Sequence, residues 1–233
     1  MTLPEFRQIS TLVRSNGYAI VPGVFAAADL ANAEKQLADP ILKRSRAGIR
    51  HVLSCSAVAE IANHLELLEI ARVVLGPAAL PFRATFFDKS PDSNWLVAWH
   101  QDTALPLESR VDSVGWGPWS LKDGINYAHA PVRALEKVVA LRVHFDDSTN
   151  TNGPLRIAPG THLCGVFTDN EILRHAEQLK CVECTIGLGG VIAMRPLVIH
   201  ASSKSQSQHP RRVLHLEYAA QLEIDGGLRL AIV

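Results

Sequence analysis

The residues after position 80 form a succession of short extended segments, which glycine, proline, asparagine and serine separate. Each segment is rich in β-branched and aromatic residues and is too short for a typical helix. Roughly eight such segments in one stretch are the pattern of a jelly roll or a barrel, so the sequence predicts a mainly β core. The predicted strands cover residues 82–89, 95–102, 137–145, 154–158, 181–186, 191–195, 197–202 and 211–220.

The first 78 residues carry a different pattern, in which apolar side chains recur at helical spacing. Thr2 and Glu5 are placed as a capping box for a first helix, which Asn16 and Gly17 are expected to end. We therefore expect helices that flank the β core. A short strand is predicted at 18–21, and further helices at 26–38 and 57–75.

Two segments interrupt the predicted strands. Residues 169–179 repeat apolar positions with helical spacing, which indicates an inserted helix. Residues 103–136 show no clear period, and loops of such length in compact domains are usually lids or binding loops. We expect a single domain over 1–233, with a helical flank at about 1–78, a jelly-roll core at about 80–221 and a lid-like loop at about 103–136.

Opposite charges balance in this chain, because 23 lysine and arginine residues meet 23 aspartate and glutamate residues. The broad positive field that attracts nucleic acids or anionic membranes has no source in such a composition. Charged residues interrupt the first 15 positions, and no stretch approaches 18 consecutive apolar residues. We expect a cytoplasmic protein with reduced cysteines that acts on a small molecule and binds neither nucleic acid nor membrane.

A histidine and a carboxylate share one face of the second predicted strand. His100 and Asp102 are two residues apart, so both side chains project from the same face, about 7 Å apart at the backbone. Both can reach one metal ion, and a distant histidine would complete the 2-His-1-carboxylate triad that leaves positions open on Fe(II). The spacing alone is weakly specific, because a histidine on a strand is more often structural.

The second half of this pattern lies near the C-terminus, where His200 precedes Arg211 by eleven residues. The planar guanidinium of arginine binds a carboxylate through two hydrogen bonds and stays charged when buried, which suits the distal carboxylate of a chelating dicarboxylic acid. Ser202 shares a strand face with His200 and could support the same carboxylate. Arg212 is the alternative anchor; strand alternation favours Arg211, whose face also carries His215 and is the more polar one.

Four motifs follow one another along the chain. They are Lys89-Ser90-Pro91-Asp92, Trp99-His100-Gln101-Asp102, the segment 152–162 with its Pro-Gly-Thr-His turn, and His200 with Arg211. In this order they resemble the phytanoyl-CoA dioxygenase family of Fe(II)- and 2-oxoglutarate-dependent oxygenases. The resemblance covers most of the chain, and the motifs together are far more specific than any one of them.

This resemblance implies a double-stranded β-helix, the cupin-like jelly roll, with flanking helices. The cofactors that it implies are Fe(II), 2-oxoglutarate as co-substrate, and O2. No catalytic residue beyond the metal ligands is implied. The implied site residues are His100, Asp102 and His200 as metal ligands, Arg211 as anchor of 2-oxoglutarate, Ser202 beside it, Thr85 facing the co-substrate, and His162 in a structural turn.

The implied reaction is hydroxylation of a small molecule, with release of succinate and CO2. Related halogenases replace the metal-binding carboxylate with a small residue, so Asp102 favours hydroxylation over halogenation; desaturation, epoxidation and ring closure stay open. The expected substrate is a small metabolite or biosynthetic intermediate, because the chain is short. Candidates for substrate contact are Trp116, Trp119, Arg142 and His144.

Two other functions stay open. A cupin-type enzyme would use its metal without an oxo acid, and a ligand-binding module would keep the fold without oxidative chemistry. A cupin-type enzyme would have no need for an arginine placed after the second histidine, and a typical cupin would supply additional histidine ligands. A binding module without oxidative chemistry would be expected to lose a metal ligand or the anchoring arginine, and here all four positions are filled. Binding of 2-oxoglutarate to the iron-loaded protein separates these functions from the dioxygenase.

Overall fold

A layer of helices precedes two facing β-sheets in the computed structural model of the chain, which describes residues 1–45 and 48–233. The helices are α1 Leu3–Asn16, α2 Ala27–Leu37, α3 Ser56–Ala62, α4 Leu65–Leu75, α5 Val132–Leu135 and α6 Asp169–Gln178. The strands are β1 Tyr18–Val21, β2 Arg44–Ser45, β3 Gly48–Arg50, β4 Leu80–Lys89, β5 Val97–His100, β6 Ala104–Leu107, β7 Trp119–Lys122, β8 Ile125–His129, β9 Val138–His144, β10 Leu155–Ala158, β11 Val182–Cys184, β12 Val191–Met194, β13 Ile199–Ser202 and β14 Arg211–Ala219.

The larger sheet has seven strands in the order β1-β12-β9-β14-β4-β3-β2. Strand β14 lies between β9 and β4 and pairs with both in the antiparallel sense. In this register His215 lies opposite Arg142 on one side and Thr85 on the other. The register therefore brings polar residues from three strands to neighbouring positions on one face of the sheet.

The opposite face of this sheet packs against the helices. Alternate residues of β14, among them Leu214, Leu216 and Tyr218, are buried in one apolar core with residues such as Val13 of α1 and Leu67 of α4. Because side chains alternate across a strand, the remaining positions of β14 must face the other way. The helices thus cover the apolar face of the sheet and leave its polar face for the interior of the jelly roll.

The smaller sheet has four strands in the order β11-β10-β13-β5 and faces the polar side of the larger one. Part of the space between the sheets is closed by apolar side chains such as Ile157, Ile192 and Met194. Two facing antiparallel sheets with flanking helices confirm the predicted fold class. No helix within the described ranges is long and apolar enough to cross a membrane.

The region 103–136 differs from the loop that was expected there. It forms a third antiparallel sheet in the order β6-β8-β7, followed by helix α5. Strands β7 and β8 are joined by Asp123 and Gly124, both of which have positive φ angles, 49° and 83°. An Asp-Gly pair with this geometry is the preferred two-residue turn of a hairpin, so the sequence does contain a signal for this sheet.

The other predicted elements are found with small shifts of their ends. All eight predicted strands are present, and the helix expected at 57–75 is divided at Asn63 and His64 into α3 and α4. The sequence reading missed the short strands β2 and β3. The division into a helical flank and a jelly-roll core stays a prediction about domain organisation.

We predict that Tyr218→Phe destabilises the fold by about 1 kcal/mol, because the buried Tyr218 hydroxyl donates a hydrogen bond to the Ala62 carbonyl at 2.7 Å. Chemical denaturation followed by circular dichroism measures the free energy of unfolding. The matched control is Tyr18→Phe, whose hydroxyl makes no hydrogen bond within the described part of the chain. An equal loss of stability in both variants would contradict the assignment of this bond.

Candidate metal centre

Two histidines and one aspartate meet where β5 pairs with β13. His100 lies directly opposite His200 in the antiparallel register, and Asp102 follows the end of β5. One carboxylate oxygen of Asp102 lies 3.5 Å from Nε2 of His100, and the other lies 3.5 Å from Nε2 of His200. The potential ligand atoms of all three residues lie within 4.8 Å of one another, so a single metal ion could contact all of them.

Backbone carbonyls fix the orientation of both imidazole rings. Nδ1 of His100 lies 2.8 Å from the Ala98 carbonyl oxygen, and Nδ1 of His200 lies 2.9 Å from the Val198 carbonyl oxygen. A carbonyl can only accept, so each Nδ1 carries the proton and donates it. In the neutral form of each ring, Nε2 is then left with a lone pair that faces the cluster, which is the tautomer that a metal ligand requires. Burial lowers the pKa of His100, but the neighbouring Asp102 carboxylate raises it by more.

The protonation states in the cluster also suit a metal ion. Burial, together with the neighbouring His100, lowers the pKa of His200 to about 4. Burial alone would raise the pKa of the Asp102 carboxyl, but the two histidines hold that pKa well below its usual value. At neutral pH the cluster therefore offers a neutral His200 and an ionised Asp102. Two imidazole nitrogens and one carboxylate fit Fe(II) with open coordination positions.

A cavity of about 190 Å³ lies against this cluster, between the polar faces of the two sheets. Its walls come from β4, β9 and β14 of the larger sheet and from β5, β10 and β13 of the smaller one. Besides the three candidate ligands, the lining residues are Arg83, Thr85, Phe87, Trp95, Val97, Arg142, Leu155, Ala201, Ser202, Arg211 and His215.

Arg211 lies in this cavity wall and is linked to the metal cluster through β13. Its Nη2 donates to the Ser202 hydroxyl at 3.2 Å, and its Nε donates to the Asn152 carbonyl at 3.2 Å. The Ser202 hydroxyl also accepts a hydrogen bond from Nζ of Lys89 at 2.9 Å and donates to the Gly153 carbonyl at 2.8 Å. Ser202 thus holds two cationic side chains two residues after His200.

These two cations lack a carboxylate counter-ion. Arg211 is 4% exposed and Lys89 is 1% exposed, and neither forms an ion pair with any aspartate or glutamate in residues 1–45 and 48–233. Burial lowers the pKa of Arg211 to about 9 and that of Lys89 to about 7, with further lowering by neighbouring cations. Arg211 still carries its charge at neutral pH. A buried, unpaired guanidinium fits an anionic ligand.

Arg212 points away from the cavity. Its Nε and Nη2 donate to the two carboxylate oxygens of Asp146, each at 2.8 Å, and its Nη1 contacts Glu34 of α2. The donors of Arg212 are therefore already matched by carboxylates at the surface. Because side chains alternate along a strand, the two arginines lie on opposite faces of β14. Arg211, which lies on the more polar face, is the one in the cavity wall.

The four candidates for substrate contact lie in different places. Arg142 lines the cavity, as does Thr85, whereas Trp116, Trp119 and His144 are not among the lining residues. Trp116 is buried in the core beneath the third sheet, and Trp119 packs against that core. The two tryptophans lie there because the predicted loop is a folded sheet with an apolar core of its own. His144 is fully buried on β9.

Several residues in or beside the cavity were given no role from the sequence. Phe87 of the cavity wall and Lys89, which contacts Ser202, are two of them, and His215 was placed only on the more polar face of β14. Strand parity could have found them, because His215 shares a face with Arg211, and Phe87 and Lys89 share a face with Thr85. His162 lies in the turn where it was expected, with its Nε2 3.1 Å from the Arg14 carbonyl oxygen.

Known proteins resemble this chain in sequence. The model of a family described as "Phytanoyl-CoA dioxygenase (PhyH)" matches residues 13–213. A protein named L-proline trans-4-hydroxylase, from Streptomyces griseoviridis, is 23% identical over 216 residues, which cover 80% of this chain and 73% of that protein.

Two solved structures share the fold. EctD from S. alaskensis, with 2-oxoglutarate and 5-hydroxyectoine, matches 94% of this chain and 76% of its own, with a TM-score of 0.69 and 22% identity. The epimerase SnoN, in complex with Fe3+, alpha ketoglutarate and nogalamycin RO, matches 94% of this chain and 84% of its own, with a TM-score of 0.68 and 16% identity.

We predict that His100→Ala and Asp102→Ala each weaken Fe(II) binding by at least about 100-fold, because each removes one of three protein ligands. Anaerobic calorimetric titration of the apo protein measures this affinity. His209→Ala, which changes an exposed histidine outside the cluster, is the matched control and should bind like the wild type. Wild-type affinity in a variant that lacks both His100 and Asp102 would contradict the ligand assignment.

Proposed function

The chain belongs to the phytanoyl-CoA dioxygenase family, and from that premise we propose that it hydroxylates a small molecule. It is an Fe(II)- and 2-oxoglutarate-dependent dioxygenase. We propose His100, Asp102 and His200 as the iron ligands. One observation carries the proposal: Arg211, a buried arginine without a carboxylate partner among the described residues, lies in the same cavity as these three residues.

The three ligands would hold the iron against one wall of the cavity. Bound Fe(II) supplies the activation of O2 that couples the oxidative decarboxylation of 2-oxoglutarate, to succinate and CO2, with oxidation of the substrate. His100 and His200 are held in the required tautomer by the carbonyls of Ala98 and Val198. Because these rings are fixed before a metal arrives, little side-chain freedom is lost on binding.

Arg211 and its neighbours would hold the distal carboxylate of 2-oxoglutarate. The guanidinium offers a planar set of donors, and the Ser202 hydroxyl lies beside it at 3.2 Å. Lys89 donates a hydrogen bond to the same Ser202 hydroxyl, and its lowered pKa of about 7 leaves it partly protonated at neutral pH. We propose Thr85, on the facing strand β4, as a further contact of the co-substrate.

The remaining walls would keep water from the reacting groups. Phe87, Trp95, Val97 and Leu155 give the cavity the apolar part of its lining. Asp102 occupies the carboxylate position of the triad, which supports hydroxylation over halogenation. The small cavity, of about 190 Å³, favours a substrate of low molecular weight.

The relatives support a small-molecule substrate. L-proline trans-4-hydroxylase is named for a hydroxylated amino acid, and EctD was solved with 5-hydroxyectoine. We propose a small metabolite or biosynthetic intermediate for this chain. A cytoplasmic location stays a prediction from the sequence, which cell fractionation tests.

We predict that Arg211→Ala weakens binding of 2-oxoglutarate to the Fe(II)-loaded protein by on the order of 100-fold, because it removes charge-assisted hydrogen bonds. Anaerobic calorimetry measures the affinity. Arg212→Ala is the matched control, since it removes the same group from the other face of β14. Undetectable binding to the wild type, or equal binding by both variants and the wild type, would favour a cupin-type enzyme or a ligand-binding module.

Succinate release identifies the substrate class. The Fe(II)-loaded protein is supplied with 2-oxoglutarate and O2 and screened against pools of small metabolites. A true substrate should raise succinate release above the uncoupled rate and should gain one oxygen atom, which mass spectrometry detects. A product that has instead lost two hydrogen atoms would contradict hydroxylation and indicate desaturation.

A further inference from the structure

A second buried arginine, Arg142, lies in the cavity wall. It is a candidate for substrate contact, and neither the metal nor the distal carboxylate of 2-oxoglutarate requires it. It is 8% exposed and projects from β9, the strand next to β14. Its one hydrogen bond within the described chain runs from Nη1 to Nδ1 of His215 at 3.0 Å, and its buried Nε has no partner there. A buried guanidinium donor without an acceptor lowers the stability of the fold, so we expect a ligand to accept hydrogen bonds from this arginine.

The immediate neighbours of Arg142 fix its position without neutralising its charge. Its guanidinium lies over the ring of Phe87, 5.4 Å from the centroid, and His215 packs edge-on against the same ring. A guanidinium has donors only, so Nδ1 of His215 accepts and the imidazole is neutral. No carboxylate in residues 1–45 and 48–233 forms an ion pair with Arg142. The nearest anionic influence is Asp102, which opposes the lowering of the Arg142 pKa by burial to about 10.

Arg142 and Arg211 enter the cavity wall from different positions on two neighbouring strands. Arg142 lies in register with His215, and Arg211 precedes His215 by four residues on β14, a distance of about 13 Å along a strand. Arg211 contacts Ser202, whereas Arg142 lines the cavity together with the metal cluster and is under the influence of Asp102. Arg142 thus interacts electrostatically with the metal cluster, whereas the contacts of Arg211 are with Ser202 and Asn152.

The co-substrate has a matching distribution of charge. 2-Oxoglutarate is a dianion with one carboxylate at each end, and the carboxylate next to its keto group is the one that approaches the iron. With a divalent ion bound, Asp102 is occupied as a ligand and leaves the charge of Arg142 unbalanced. A carboxylate beside the metal would supply both the missing charge and the acceptors for Arg142.

We propose that the two arginines recognise the two carboxylates of 2-oxoglutarate separately, with Arg211 at the distal carboxylate and Arg142 at the carboxylate next to the keto group. His215 and Phe87 act as positioning residues for the Arg142 guanidinium. This inference rests on the proposed function. It adds a residue, Arg142, that would recognise the carboxylate common to all 2-oxo acids.

Two oxo acids separate the roles of the arginines. 2-Oxovalerate keeps the keto group and its carboxylate but lacks the distal carboxylate. Anaerobic calorimetry gives the affinity of the Fe(II)-loaded protein for each acid, without turnover. The wild type should bind 2-oxoglutarate at least about tenfold more tightly than 2-oxovalerate. Arg211→Met should abolish this preference, because its contact is absent from 2-oxovalerate.

Arg142→Met should weaken both acids by a similar factor, between about 10-fold and 100-fold, and keep the preference between them. Arg212→Met, which removes a guanidinium outside the cavity, should leave both affinities unchanged. Arg142→Gln serves if the Met variant is unstable by circular dichroism, because it keeps a polar side chain toward His215 and should give the same pattern.

Three outcomes would overturn the inference. Unchanged affinity for both acids in the Arg142 variants would show that Arg142 does not bind the oxo acid, and a carboxylate of the substrate would then be the alternative ligand. Loss of the preference in Arg142→Met would place it at the distal carboxylate. Absence of 2-oxoglutarate binding to the wild type would overturn the proposed function as well, and this result is distinguishable because it needs no variant.

Discussion

The pairing of β5 with β13 is the contact on which the site depends. It places His100 opposite His200, so that two residues one hundred positions apart present their Nε2 atoms to one carboxylate. The same pairing carries Ser202 to the cavity, and Ser202 in turn holds Arg211. Because side chains alternate along a strand, a shift of this pairing by one residue would turn the histidine of the shifted strand out of the cluster.

The helices make this polar interior possible. One face of β14 buries Leu214, Leu216 and Tyr218 against them, while the other face carries Arg211 and His215 into the cavity. Burial of apolar surface contributes favourable free energy on the first face. That contribution offsets the desolvation of Arg211 on the second face, which has no carboxylate partner in residues 1–45 and 48–233. The apolar core behind the sheet therefore allows buried cations to line the cavity, where they can bind anionic ligands.

The charges of the whole chain balance, whereas cationic side chains outnumber carboxylates in and beside the cavity. The formal net charge is zero, yet Arg142, Arg211 and Lys89 are buried close together with Asp102 as the carboxylate in the cavity wall. Surface pairs such as Arg212 with Asp146 account for other charges. Composition describes only the broad field of the whole chain, and it carries no information on the local field of the cavity.

Local periodicity determined much of this protein from the sequence. Alternation and turn residues predicted eight strands, the shared face of His100 and Asp102, and the choice of Arg211 over Arg212, because each depends on neighbours along one strand. The motifs added His200, which periodicity alone does not connect to His100. Only the tertiary structure decided that Arg142 lies in the cavity wall, that Lys89 contacts Ser202 of that wall, and that Trp116 lies outside it. The lateral order of strands decides these positions, and strand order depends on packing between residues that are far apart in sequence.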